Sequence, residues 1–192
     1  MKVIIIIVML TIITSGCNSI GAYSERPLDT RVSFLLQHTD THNYQKKQTE
    51  LKVAQTGLVA GNTLLYAASG SSPLFFDGHK HYNVVYPLWI NESEVDEVEY
   101  AIDKYRQWQE QVVPKKFSKA QPINEYVSQW MNGVTFQFSL LSAKNGQPLL
   151  RVCYEFTDLG HCTFTYLLDS QSIEFLSDDL QVFKQHISVH DS

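Results

Sequence analysis

His38, Asp40 and His42 stand two residues apart, so on an extended strand all three would project from one face. Asp77, His79 and His81 repeat that spacing further along the chain. Imidazole and carboxylate are ordinary zinc ligands, so the six residues form a candidate metal site, and an occupied site would suit a metal-dependent hydrolase. Against this, both segments lie among the Thr, Asn, Gln and Gly of exposed loops, and neither matches a known metal signature. Solvated histidine-rich loops are the expectation. Ser69-Gly70-Ser71-Ser72 lacks the second glycine of a nucleophile elbow and reads as a flexible loop before Pro73. Cys153 or Cys162 beside His161 could be a thiol nucleophile, but adjacent residues of a strand point to opposite faces. With no Gly-rich phosphate loop and no Cys-x-x-Cys pair, no cofactor is expected.

Cys17 has a different setting. Lys2 is followed by an apolar run from Val3 to Ile13, broken only by Thr11, and then by the small residues Thr14, Ser15 and Gly16. A basic start, an apolar run and small residues make a cleavable export leader. The run is too short for a spanning helix, which needs about 20 residues. Thr14-Ser15-Gly16-Cys17 resembles the bacterial lipobox, with Thr14 where that family usually has Leu. The resemblance implies removal of residues 1–16 and acylation of Cys17 with palmitate-type chains. Each buried methylene of such a chain adds roughly 0.8 kcal/mol, so two or more chains anchor stably. It also implies an outer-membrane address, because Asn18 is not the Asp that retains lipoproteins at the inner membrane. A periplasm-facing domain follows. Residues 17–29, polar and without period, read as the lipidated cysteine and a flexible tether, and residues 30–192 as a single domain.

In an oxidising compartment the two remaining thiols, Cys153 and Cys162, are expected to pair. Register argues the other way. A turn at 157–160 with Gly160 in a bulge sets Tyr154 opposite Phe164 and keeps every apolar row on one face, but leaves Cys153 on the other face, out of reach of Cys162. The compartment favours the disulfide and the hairpin opposes it, and a further bulge would reconcile them.

The elements that would position these residues are clearest in the C-terminal half. Val134, Phe136, Phe138 and Leu140 alternate with polar residues, as do Leu150, Val152, Tyr154 and Phe156, and then Cys162, Phe164, Tyr166 and Leu168. Lys144-Asn145-Gly146 supplies a turn between the first two rows. A turn at Asp169-Ser170, a short strand over 172–176 and a last helix from Ser177 to about His186 complete the reading. Upstream, Val95, Val98, Ala101, Ile102, Tyr105, Trp108 and Val112 form the stripe of an amphipathic helix over about 92–113, with Asn91 and Glu94 at capping-box spacing and Pro114 closing it. Strands are expected around Val32–Leu36 and Val84–Leu88. Residues 51–60 fit either a helix ended by Gly61-Asn62 or a strand and turn, and 123–130 suggest a short helix after Pro122. The class is α+β, an antiparallel meander covered by one long helix. Trp89, Trp108 and Trp130, with Tyr86, Tyr100 and Tyr105, could line a cleft, although their spacing suits a core better.

The chain carries 15 Lys plus Arg against 20 Asp plus Glu, net −5, and loss of Lys2 with the leader makes it more acidic. Nothing in that balance favours nucleic acid as a partner. Hydrophobic content of 44% with ten Phe and ten Tyr supports a folded core. The resulting expectation is a membrane-anchored, non-catalytic accessory or binding module whose partner is a protein or glycan of the envelope. An immunity or inhibitor lipoprotein with an acidic surface is the second reading, and the metal-dependent hydrolase the third.

Overall fold

A computed structural model describes residues 24–37, 44–55, 61–73, 81–111, 120–130, 133–143, 145–156, 162 and 164–190. In chain order the described elements are β1 (Ser24–Leu28), β2 (Ser33–Gln37), β3 (Tyr44–Gln48), β4 (Glu50–Gln55), β5 (Asn62–Pro73), β6 (His81–Asn91), a 3-10 turn (Glu92–Glu94), α1 (Val95–Gln111), β7 (Gln121–Val127), β8 (Val134–Ser142), β9 (Pro148–Phe156), β10 (Phe164–Leu168) and α2 (Ser170–His190). The strands make two antiparallel sheets, one ordered β1-β4-β5-β6 and the other β3-β2-β10-β9-β8-β7. The class is thus α+β, mostly antiparallel sheet. Among the described residues the strands fall into two sheets where a single meander under one long helix was expected, and the last helix, expected from Ser177, begins at Ser170.

The meander β7-β8-β9-β10 follows the alternating rows. Phe136 pairs with Tyr154, Phe138 with Val152 and Leu140 with Leu150, so large side chains from neighbouring strands share the inner face. At the connection Gly146 takes φ 82° while the Ala143 N–H donates to the Gln147 carbonyl at 2.8 Å. A side chain at that φ is disfavoured, which is why Asn-Gly sits there. Phe34 of β2 stacks on Tyr166 of β10 with centroids 4.1 Å apart, extending the aromatic face to a strand far away in sequence. Leu64, Tyr66, Tyr86, Leu88 and Ile90 of the four-stranded sheet join the same core.

Ser69-Gly70-Ser71-Ser72, expected as a loop, lies inside β5, with Gly70 opposite Val84. A Cβ on Gly70 would come within 2.6 Å of the Leu36 side chain and 2.8 Å of the Tyr86 ring. The small residue admits the close approach of β2, a long-range requirement that looks locally like a breaker.

Three other local readings are corrected. Residues 172–176 are helical: Asp169 accepts from the Ser172 N–H at 2.8 Å, and Ile173, Leu176, Leu180 and Phe183 fall on one buried face of α2. Asp suits turns and helix N-caps by the same side-chain hydrogen bond, so its presence did not discriminate. Residues 121–127 form edge strand β7, with a register shift between Pro122 and Asn124. Pro is tolerated on a sheet edge, and the free side of β8 offers pairing that a short helix lacks. Ser24–Leu28, assigned to the tether, is β1, paired with β4. Residues 51–55 of the undecided segment belong to strand β4.

Helix α1 buries Val95, Val98, Ala101, Ile102 and Tyr105 as the stripe requires. The capping box is present: the Glu94 carboxylate accepts from the Asn91 N–H at 2.8 Å and the Asn91 side chain from the Ser93 N–H at 3.1 Å. Val112 and Pro114 lie outside the described residues. No helix among the described residues is long and apolar enough to cross a membrane.

Candidate functional site

Of the residues singled out for chemistry, Cys17, His38, Asp40, His42, Asp77 and His79 lie outside the described residues. His81 begins β6, its backbone opposite Pro73. Among the described residues no group of three or more His, Cys, Asp or Glu side chains is placed to hold a metal ion. The six candidate ligands are not brought together by anything described.

Cys153 and Cys162 are joined by a disulfide with Cα atoms 5.6 Å apart. The register is nonetheless the one that keeps apolar rows together, since Phe164 pairs with Tyr154 and Thr165 with Cys153. The expectation that this register keeps the two thiols apart is corrected. Strand β10 begins at Phe164, so Cys162 stands outside the ladder and is free of the strict face alternation that binds paired residues. It crosses to the outer face and meets Cys153, with Thr165 Oγ1 3.0 Å from its Sγ.

The bridge, buried at Cys153, sits among polar residues of the outer face of the six-stranded sheet, a face that also carries the buried Leu149 and Leu167. Thr135, Gln137 and Ser139 come from β8, Arg151 and Glu155 from β9, and Thr165 from β10. The Gln137 amide donates to Glu155 at 2.9 Å, and Arg151 donates to Thr165 Oγ1 at 3.5 Å. Gln137 lies opposite Cys153, so Glu155 is its diagonal neighbour, a distance that long side chains span. This surface offers amide, guanidinium, carboxylate and hydroxyl groups on a rigid frame. Such groups recognise a polar ligand through hydrogen bonds. The turn at 145–146 and the alternation of β8 and β9 set this pairing, but glutamine, arginine and glutamate on a strand carry no local signal of a site.

The ionisable groups of the interior serve the fold. Burial raises the Glu94 carboxyl above its ordinary range, against the lowering effect of the Asn91 and Gln129 N–H groups it accepts from. Burial likewise raises Asp179, which accepts from Thr30 Oγ1 at 2.7 Å and from the Tyr66 hydroxyl at 3.0 Å. The Tyr66, Tyr126 and Tyr166 hydroxyls are pushed well up by the same cause. Tyr166 donates to the Pro87 carbonyl at 2.7 Å and Tyr126 to the Trp89 carbonyl at 2.6 Å. With Glu94 on Asn91, these bonds serve alternate residues of β6, an edge strand of its sheet. Tyr126 and Tyr166 of the other sheet, with Glu94 of the turn, thus cap backbone groups that have no strand neighbour there. The Asp179, Tyr66 and Thr30 cluster joins residues more than a hundred apart, and no local pattern announces it.

Tyr86 and Tyr105 belong to the core and Trp89 and Trp108 pack against it, whereas Tyr100 is exposed. Acids of α1 and α2 are partly engaged in ion pairs. Lys184 pairs with Asp96 at 3.0 Å and Glu99 at 2.6 Å, and Arg106 with Glu174 at 2.6 Å. These pairs tie α1 to α2.

No family model, curated protein or solved structure matches the chain.

Proposed function

We propose that the chain is an exported lipoprotein, acylated on Cys17 at the outer membrane, whose domain acts as a non-catalytic accessory module that binds another envelope component. The observation that carries the reading is the Cys153–Cys162 bridge among polar residues of the outer sheet face. Disulfides persist in oxidising compartments, which supports export as the leader does. The bridge also stiffens the hairpin presenting Gln137, Arg151, Glu155 and Thr165, and pre-organised polar groups lose less freedom on binding. A protein or glycan surface with matching donors and acceptors is the partner this face suits.

The test compares lipidated wild-type protein with a Gln137→Ala, Arg151→Ala double variant in capture from envelope extract. The reading expects a component retained by the wild type and lost by the variant, with both proteins equally folded by circular dichroism. Identical capture by the two would reject the outer face as the binding surface. Metabolic labelling with a fatty-acid probe tests the anchor, since Cys17→Ser should abolish the label.

A further inference from the structure

We infer that the domain stands end-on to the bilayer, with the Ser24 end of the four-stranded sheet against the headgroup layer and the far half of the β5–β6 hairpin turned away. The inference rests on acylation of Cys17.

The leash is short. Strand β1 begins at Ser24, so the covalent path from Cys17 is seven residues, about 24 Å even when fully extended. Strand β6 runs eleven residues, roughly 34 Å from end to end. The leash is shorter than the strand, so the attachment point determines which end of the sheet meets the membrane. Pairing identifies that end. Ser24 lies opposite Gln55, Gln55 opposite Asn62, and Thr63 opposite Asn91, so four strand ends are level. His81 and Pro73 lie at the other end of the hairpin.

The membrane-proximal end has a suitable surface. Glu92 accepts from the Asn62 N–H at 2.7 Å, closing the β5 start onto the turn before α1. Glu94 links Asn91 to Gln129, which brings the end of β7 to the same level. Val127, 52% exposed, and the partly exposed Trp130 therefore stand beside the β5 and β6 ends. An exposed valine and a tryptophan among polar residues suit the headgroup zone, where tryptophan is enriched because one part of its ring system is apolar and the other donates a hydrogen bond. The occupant of this end is the bilayer that holds the acyl chains.

The experiment uses the acylated protein reconstituted in zwitterionic phosphatidylcholine vesicles whose headgroups carry an energy acceptor. A small fluorophore is placed singly at Gln55→Cys, Val127→Cys or Val85→Cys, all exposed positions, and a thiol count verifies one free thiol beside the intact disulfide. Transfer should be strong from positions 55 and 127 and weaker from 85. A flexible Gly-Ser segment of about twenty residues inserted between Tyr23 and Ser24 should abolish the difference. Equal transfer from all three positions, or stronger transfer from 85, on protein with the acyl mass on Cys17 overturns the orientation alone. No transfer from any position, with Cys17 unmodified, overturns the anchor and the orientation with it.

Discussion

The two faces of the six-stranded sheet are made from alternate residues of the same strands, yet they are held in different ways. On the inner face Phe136 contacts the rings of Trp89, Tyr126 and Tyr154, and Tyr166 both stacks on Phe34 and donates its hydroxyl to Pro87. Stability there comes from apolar area, ring packing and a few buried hydrogen bonds that join the two sheets. On the outer face a covalent bridge, partly exposed polar pairs and the buried Leu149 and Leu167 do the holding. The contrast lies within single strands, whose alternate residues serve the two faces.

The sharpest way to break the contrast is to truncate neighbours on one strand. Phe136→Ala should cost about 3 to 5 kcal/mol, since Phe136 is fully buried and leaves a cavity lined by rings. Urea midpoints would show it, and a cost near that of an exposed site would mean that the inner face is less tightly packed than described. Next comes the bridge. Cys153→Ser with Cys162→Ser should lower stability by about 2 to 3 kcal/mol, the range for a short closed loop, and reductant should shift the wild type by a similar amount. Thiol counting on denatured, unreduced protein exported to the periplasm should find neither cysteine free.

Tyr166→Phe keeps the ring and removes the donor to Pro87. Leaving that buried carbonyl without its partner should cost about 1 to 3 kcal/mol, and an unchanged midpoint would mean the sheets do not depend on this bond. Asp179 tests the interior by pH. Burial raises its carboxyl above the ordinary value of 3.8, so the folded protein holds the proton more tightly than the unfolded chain. Its contribution is fully present below the unfolded value and is lost as pH rises through the folded one. Asp179→Asn should therefore flatten the fall in stability across the window between the unfolded and the raised folded value. Parallel wild-type and variant curves there would reject the effect. The smallest change is expected from Gln137→Ala, within about 1 kcal/mol, because its bond to Glu155 is partly exposed.

Local pattern carried the reading where periodicity and turn chemistry coincide. The rows of β8 and β9, the Asn145-Gly146 turn and the buried stripe of α1 are each written in residues close together, since face alternation and helical spacing are local properties of the backbone. The site was less legible. The two cysteines were visible as a pair, but whether they could meet depended on where β10 enters its ladder, and the outer rows became a surface only once three strands were aligned.

What the sequence by itself determined, then, is which side of β8, β9 and α1 is apolar and where the tight turn lies. Tertiary structure alone decided that Ser24–Leu28 joins a sheet, that residues 121–127 extend an edge, that Gly70 lets β2 pass close by, and that hydroxyls of one sheet cap carbonyls of the other. The physical reason is common to all four. Each depends on a free backbone edge or a gap supplied by a distant segment, and a residue's own neighbours carry no record of which segment that will be.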